Sequence, residues 1–323
     1  MNATQPEQAR EAIRIGISSC LLGHQVRYNS GHKHNAYITQ TLGRFFEFTP
    51  FCPEVAIGLG VPRPPIRLVQ CDDGVHVRGV DDPEQEVTGD LIAYGEQVSQ
   101  RLDGVSGYLF KKGSPSCGME RVKIYQPGGE PCGVGAGVFA ATIMRERPEL
   151  PVEEEGRLMD AVLRENFVER VFVYHRWQSL CRGRPGAAEL VGFHTRHKFI
   201  VLAHDEPAYR ELGRLVAGAG NGELAVIMQR YICLLMRALK KTATPKQHAN
   251  VLMHILGFFK RELATADKAE LLDLIDAYRR NQVPLIVPIT LLKHHLRHYP
   301  DDYVSQQYYL NPHPRELMLR NHI

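Results

Sequence analysis

The chain has 323 residues and a formal net charge of +3, with 44% of its residues hydrophobic and 23% charged. This composition is typical of a soluble globular protein that is long enough for two domains. It contains no run of 18 apolar residues, which argues against a membrane-spanning helix, and its polar residues 1–12 do not resemble a secretory signal. We therefore expect a cytoplasmic protein without a membrane partner.

The first half of the chain alternates between strand and helix patterns. Runs rich in β-forming residues at 13–19, 46–51 and 106–110 each lead toward a cysteine, and shorter runs lie at 66–69 and 75–79. Such alternation predicts an α/β fold with a mostly parallel, Rossmann-like sheet that is covered by helices. The helices are predicted at residues 35–46, 87–102 and 133–147.

The second half has a different pattern. Pro148, Pro151 and three consecutive glutamates predict a linker that leads into a helix N-terminus, where acidic residues suit the helix dipole. Few β-rich runs occur beyond it, so we predict an all-α domain of residues 154–323 after an α/β domain of residues 1–153. The helical patterns of the second domain cover residues 157–182, 207–218, 223–241, 246–265, 267–280 and 288–298.

Three of the seven cysteines share one setting. Cys20, Cys52 and Cys117 each follow the C-terminal end of a predicted strand, and in an open α/β sheet these ends form the ligand crevice. A single such thiol is often only a packed side chain, but three in the same position indicate thiolates that converge. They suit an iron–sulfur cluster or a zinc ion with one position left open. Cys132 is a spare candidate for a fourth ligand, and we assign no role to Cys71, Cys181 and Cys233.

Polar side chains near these cysteines are candidates for chemistry. Glu54 lies two residues after Cys52, and a carboxylate beside an open metal site is a natural proton carrier. Ser114, three residues before Cys117, is a candidate for positioning a substrate or a water molecule. The alternative for Glu54 is a solvated loop residue. The candidates for substrate binding lie in the loops around the cysteines and in a proline-rich turn: Arg27, Tyr28, Asn29, Arg63 and Ser116.

Three segments carry a resemblance to a known family. They are "SSCLLGHQVRYNSGHK", "CPEVAIGLGVPR" and "KKGSPSCGMERV", and they resemble the signature segments of the thiouracil desulfurase (2-thiouracil desulfidase) family over about residues 13–150. The rest of the chain resembles a YbgA-like domain of unknown function. Its hallmarks are present as "FHTRHKFIVLAH", "HANVLMHILGFFK", "VPLIVPITLLKHH" and "YYLNPHPRELMLRN".

The resemblance implies a cofactor and a reaction. The family holds a 4Fe-4S cluster with three cysteines, which correspond to Cys20, Cys52 and Cys117, and its fourth iron binds the sulfur of the substrate. Its catalytic carboxylate corresponds to Glu54 and its active-site serine to Ser114. We therefore expect conversion of a 2-thiouracil-like pyrimidine to the oxo compound, with the sulfur captured by the open iron and released as sulfide.

Other interpretations of the sequence stay open. Asn29 stands where the family commonly carries an aspartate, which puts charge-based recognition there in doubt. The chain could instead bind RNA that bears thiolated bases, since residues 151–323 carry 24 basic and 19 acidic residues and the aromatic pair Tyr308 and Tyr309. A cluster-based sensor without catalysis is another alternative. His294 and His298 have a helical spacing that would suit a metal ion, although surface histidines are common.

Overall fold

The computed structural model of the chain describes residues 12–220 and 222–322. It divides into two compact units, Met1–Gly156 and Arg157–Ile323. The expectation about a secretory signal rests on residues 1–12, and residues 1–11 lie outside the described part.

Four parallel strands form the main sheet of the first unit. They are β1 (Ile13–Ser18), β2 (Phe46–Phe51), β5 (Val105–Phe110) and β8 (Val152–Glu154), in the spatial order β2-β1-β5-β8. Every residue of β5 is buried, as expected for a central strand with both faces covered. This sheet, with its helices, confirms the predicted α/β class.

The longer helices of this unit are α2 (Thr88–Arg101) and α3 (Val138–Glu146), which follow the short α1 (Pro53–Ala56). They approach closely at Gly95, where an added Cβ would lie 2.8 Å from the Thr142 side chain. The aromatic rings of Tyr94 and Phe139 stack beside this point, with centroids 5.7 Å apart. A larger side chain at Gly95 would therefore push the two helices apart.

The runs at 66–69 and 75–79 form strands, as predicted, but they belong to a second, mixed sheet that was not predicted. It contains β3 (Ile66–Cys71), β4 (Gly74–Gly79), β6 (Val122–Tyr125) and β7 (Pro131–Gly135), in the order β4-β3-β6-β7. Only the β3–β6 pair is parallel.

Two predicted helices of this unit are shorter in the structure. The prediction of one helix over 133–147 is wrong at its start, because residues up to Gly135 belong to β7 and α3 begins at Val138. The glycines of this segment disfavour a helix. Residues 35–46 also form less helix than predicted: a π-helical turn at Tyr37–Thr41 and a 3₁₀ turn at Leu42–Arg44.

The predicted linker at the end of the first half is wrong as well. Val152, Glu153 and Glu154 pair with β5 and complete the main sheet as β8. The Glu154 carboxylate accepts a hydrogen bond from the backbone N–H of Met119, at 2.7 Å. A buried glutamate is tolerated in a strand when its carboxylate has hydrogen-bond partners of this kind. The donor lies in a loop that is distant in the chain, so the sequence around Glu154 does not predict the strand.

The second unit is helical, as predicted. One helix was missed, α5, because histidines interrupt its apolar pattern, although His194, His197 and His204 are all buried. None of the helices in the described ranges is long and apolar enough to cross a membrane. The helices are α4 (Ala161–Arg182), α5 (Ala187–His204), α6 (Glu206–Ala217), α7 (Leu224–Leu239), α8 (Pro245–Leu256), α9 (Thr265–Arg279), α10 (Ile286–His298) and the short α11 (Asp302–Ser305).

The residues singled out in this helical unit have different settings. Tyr309 is fully buried and its hydroxyl lies 3.0 Å from His248 Nδ1, so it cannot stack on a base in this conformation. The Tyr308 ring lies 3.9 Å from the guanidinium of Arg176. His294 and His298 are exposed on α10 with ring centroids 4.7 Å apart, and their use as a metal site stays a prediction.

Candidate metal and active site of the first unit

Cys20, Cys52 and Cys117 line one cavity of about 320 Å³. Cys20 lies two residues beyond β1 in the 3₁₀ turn Ser19–Leu22, and Cys52 directly follows β2 at the start of the short helix α1 (Pro53–Ala56). Cys117 lies in the loop after β5. All three are free thiols. The three strands are adjacent and parallel, so their ends meet at one edge of the sheet, where such folds bind ligands.

The environment of these thiols is unfavourable for an isolated thiolate. Burial raises the pKa of Cys20 to about 11 and also raises the pKa of Cys52. Burial, followed by the charge of Glu54, raises the pKa of Cys117 well above its ordinary value. A bound cation would offset both effects, since metal ions stabilise a coordinating thiolate. The donor set therefore fits a metal group better than it fits three free nucleophiles.

The Glu54 carboxylate is at the centre of a hydrogen-bond network beside these cysteines. Its Oε2 accepts from Arg63 Nη2 at 2.5 Å and Nε at 3.0 Å. Its Oε1 accepts from the hydroxyls of Ser116, at 2.9 Å, and Ser114, at 3.4 Å. The structure thus brings together four residues that are as far as 62 positions apart in the chain.

Arg63 holds this carboxylate in place. Its side chain is buried, and besides Glu54 it donates to the backbone carbonyls of Gly60, at 2.7 Å, and Val26, at 3.0 Å. These bonds use the planar fork of donors that a guanidinium provides. Arg63 therefore links the loop after β1 to the turn after α1, and its position is that of an anchor for Glu54.

The two serines have different surroundings. Ser114 lines the cavity, and its Oγ accepts hydrogen bonds from the backbone N–H groups of Ser116, at 3.2 Å, and Cys117, at 3.1 Å. It therefore shapes the turn that presents Cys117. Ser116 is fully buried and does not belong to the cavity lining. Its hydroxyl supports Glu54 from behind, which differs from the predicted role in substrate binding.

Of the remaining residues predicted to bind substrate, some line the cavity and one does not. Arg27 and Tyr28 line the cavity, and the Arg27 guanidinium lies 5.3 Å from the centroid of the Tyr28 ring. Asn29 does not line it, and its Oδ1 accepts a hydrogen bond from the backbone N–H of Gly31 at 3.2 Å. An asparagine in this setting stabilises its own turn. Cys132, the spare ligand, lies exposed on β7 and is not part of the cavity lining.

Three lysines at the cavity were not predicted: Lys33, Lys111 and Lys112. Lys111 Nζ lies 2.5 Å from Glu155 Oε1, and Glu155 Oε2 accepts from the backbone N–H of Lys112 at 2.7 Å. Glu155 follows β8, so the strand that was taken for a linker also supports the cavity. The signal that could have found two of these lysines is their position directly before the Cys117 loop.

Two observations test whether an iron–sulfur group fits. In the described ranges, one set of three ligand atoms lies within 4.8 Å of one another, and it does not include these sulfurs. A single tetrahedral zinc ion, with Zn–S bonds of about 2.3 Å, would need closer thiolates, so their placement does not favour a single zinc ion. The second is the Tyr108 hydroxyl, which is buried and has no hydrogen-bond partner among the described residues. Its pKa is raised by burial and then by Cys117, and its ring stacks on Phe51, which lines the cavity, with centroids 5.9 Å apart.

The chain is similar to known proteins in both parts. Residues 15–155 match the family model of 2-thiouracil desulfurase, and residues 198–314 match that of a protein family of unknown function, DUF1722. The uncharacterized protein YbgA of Escherichia coli (strain K12) is 35% identical over 153 residues, which are 47% of this chain and 90% of YbgA. A solved structure of the [4Fe-4S]-dependent thiouracil desulfidase TudS is 32% identical, with 46% of this chain and 94% of that chain covered and a TM-score of 0.37. The chain therefore belongs to the YbgA family and carries a domain of the 2-thiouracil desulfurase family.

Proposed function

We propose that the first unit removes sulfur from a thiolated pyrimidine such as 2-thiouracil and that it uses a 4Fe-4S cluster bound by Cys20, Cys52 and Cys117. The reaction consumes one water molecule: its oxygen forms the new C=O bond, the C=S bond breaks, and the sulfur leaves as hydrogen sulfide. Atoms and electrons balance, so no oxidant or reductant is required.

The observation that carries this proposal is the convergence of three free cysteines from three strand ends on one cavity beside Glu54. The family match supports it, as does the 4Fe-4S dependence of the TudS protein. When bound, the cluster would supply an open iron, a Lewis acid with affinity for a soft thiocarbonyl sulfur. The cavity volume of about 320 Å³ is at the lower end of small-molecule sites, which argues against a large substrate.

The contacts of Glu54 assign different tasks to its two oxygens. Oε2 receives two N–H donors from Arg63 and is fixed in direction. Oε1 accepts from two hydroxyls, those of Ser116 and the cavity-lining Ser114, and hydroxyls can rotate to accept a proton as well as donate one. We therefore assign proton transfer to Oε1, with Ser114 between Glu54 and the cavity.

The cations of the cavity would orient the substrate. Arg27, Lys33 and Lys112 line it, whereas Lys111 is compensated by Glu155. A thiolated pyrimidine places partial negative charge on its sulfur and oxygen atoms, and nearby cations favour such charge. The positive charges of these side chains therefore complement an electron-rich heterocycle.

The test is anaerobic reconstitution of the full-length protein with iron and sulfide, followed by incubation with 2-thiouracil and chromatographic detection of uracil. We expect about four irons per chain and uracil formation in the parent, and loss of both in Cys20→Ser, because a hard oxygen replaces a soft thiolate. Cys181→Ser, at an exposed cysteine of the second unit, is the matched control and should match the parent. A loaded parent that forms no uracil would leave a cluster-based sensor as the better interpretation.

A further inference from the structure

A second group of metal-binding side chains lies at the tip of the β3–β4 hairpin. Cys71 pairs with Gly74 across the turn, and His76 pairs with Val69 in the same antiparallel ladder. Since alternate residues of a strand share a face, Val69 and Cys71 lie on one face, and His76 lies on that face as well. Asp73 in the turn completes the group.

The ligand atoms of these three residues are close together. The Cys71 sulfur, an Asp73 carboxylate oxygen and a His76 ring nitrogen all lie within 4.8 Å of one another. This is the one set of its kind in residues 12–220 and 222–322. His76 Nε2 is 2.9 Å from Asp73 Oδ1, and Cys71 is a free thiol. Small side-chain rotations would bring all three to the distances of about 2.0–2.3 Å that zinc requires.

The other nitrogen of the histidine also has a partner that suits a metal site. His76 Nδ1 is buried and lies 3.4 Å from Glu86 Oε1. That carboxylate oxygen is held by the backbone N–H of Thr88 at 3.1 Å. A carboxylate behind a ligating histidine fixes its tautomer and orientation and is a usual feature of zinc sites.

We propose that Cys71, Asp73 and His76 form a zinc site, with Glu86 as the positioning residue behind His76. A thiolate, an imidazole and a carboxylate are ligands that zinc accepts together, and the fourth tetrahedral position would hold water. The site is separate from the cysteine cavity: Ile66 lines that cavity, and Cys71 lies five strand residues further on, about 16 Å away. The metal would join both strands of the hairpin to its turn.

The test uses the full-length protein with its cluster in place, so that Cys20, Cys52 and Cys117 are occupied. The protein is exposed to excess Zn²⁺, freed of unbound metal, and analysed for zinc by mass spectrometry, with the affinity measured by competition with a chromophoric chelator. We expect about one zinc per chain in the parent. Cys71→Ser and Asp73→Asn should lose it, and Glu86→Gln should bind at least about tenfold more weakly.

Cys132→Ser is the matched control, because Cys132 is an exposed cysteine of the same sheet, and it should bind zinc as the parent does. Repeating the measurement in a Cys20→Ser background separates this proposal from the proposed cluster: zinc that depends on Cys71 should persist there. Equal zinc binding by the parent and Cys71→Ser, or no zinc in either, would overturn the proposal and leave His76 as a histidine between two carboxylates.

Discussion

Glu54 and Arg63 form an ion pair with a shortest N–O distance of 2.5 Å, and their side chains are only 15% and 3% exposed. Breaking a buried pair leaves an uncompensated charge and costs about 3–5 kcal/mol. We expect Arg63→Gln to lower the free energy of unfolding by an amount toward the lower end of this range, since Glu54 keeps some solvent contact and its bonds to serines.

The matched control for Arg63 is Arg145→Gln. Arg145 also pairs with carboxylates, those of Glu96 and Glu146, but all of these side chains are largely exposed. Exposed pairs contribute about 0–1 kcal/mol, so the loss should be small. Denaturant unfolding of both variants checks the comparison, and similar losses would mean that Arg63 is not an anchor.

Glu54→Gln tests the proposed proton transfer. The substitution keeps the size of the side chain and removes its ability to titrate, so turnover should fall by about 10²–10⁴-fold. The three cysteines are unchanged, and the cluster should assemble and its absorption should still respond to 2-thiouracil. The measurement is uracil formed per intact cluster, with Glu96→Gln on the surface of α2 as control. Equal rates in the Glu54 variant and the parent would remove Glu54 from the mechanism.

The division of the chain at Gly156 predicts the behaviour of fragments. A fragment of residues 1–156 retains β8 and all three proposed cluster ligands, and we expect it to fold and to hold iron. A fragment of residues 1–151 lacks β8, which exposes the edge of the buried strand β5, so it should aggregate. Circular dichroism, light scattering and iron analysis compare the two. Identical behaviour would show that β8 is dispensable, and failure of both would contradict an independent first domain.

Buried histidines predict acid sensitivity of the helical unit. Burial lowers the pKa of His194 and His313 to about 4 and that of His248 to about 3, from an ordinary value near 6.5. The unfolded chain therefore binds protons at a higher pH than the folded one. Their contribution to stability is complete above about pH 6.5 and is lost as the pH falls toward 4. The charged or titratable groups that act on His248 are Arg320, His204, Glu169 and His322.

Calorimetric melting between pH 7.5 and 4.5 measures this loss. His248→Gln removes one of the titrating groups, so its melting temperature should fall less steeply with pH than that of the parent. Glu169, whose pKa is lowered by His204 and Arg320 despite its burial, adds destabilisation at still lower pH in both proteins. The exposed His294 provides the control as His294→Gln, which should keep the parental slope. An unchanged slope in His248→Gln would contradict the assignment of a neutral buried histidine.

The features that could be predicted from the sequence are those with a local signal. The runs before Cys20, Cys52 and Cys117 are rich in β-forming residues, and Pro or Gly residues lie close to each cysteine, which indicates strands that leave the core. The class of the sheet followed from its alternation with helical patterns. The parallel order of β1, β2 and β5 then placed the three cysteines at one edge.

The features that were missed depend on partners distant in the chain. Val152, Glu153 and Glu154 form a strand because β5 offers an open edge and a loop offers backbone donors to Glu154. The contacts of Glu54 with Arg63 and Ser116 require three loops to be in place at once. The helix α5 was missed for the same reason: its histidines interrupt the apolar pattern of the sequence, and their burial depends on contacts with other helices. RNA binding by the helical unit stays an alternative from the sequence, and a salt-dependent association with tRNA would favour it.

The most direct test of the central claim is the fate of oxygen and sulfur during one turnover. Cluster-loaded protein is incubated anaerobically, without reductant, with 2-thiouracil in water enriched in heavy oxygen, and the uracil is analysed by mass spectrometry while sulfide is quantified. We predict one heavy oxygen atom per uracil and one sulfide per uracil, because water replaces the sulfur without a change in oxidation state. Uracil that appears only after a reductant is added, or no uracil from fully loaded protein, would contradict the account.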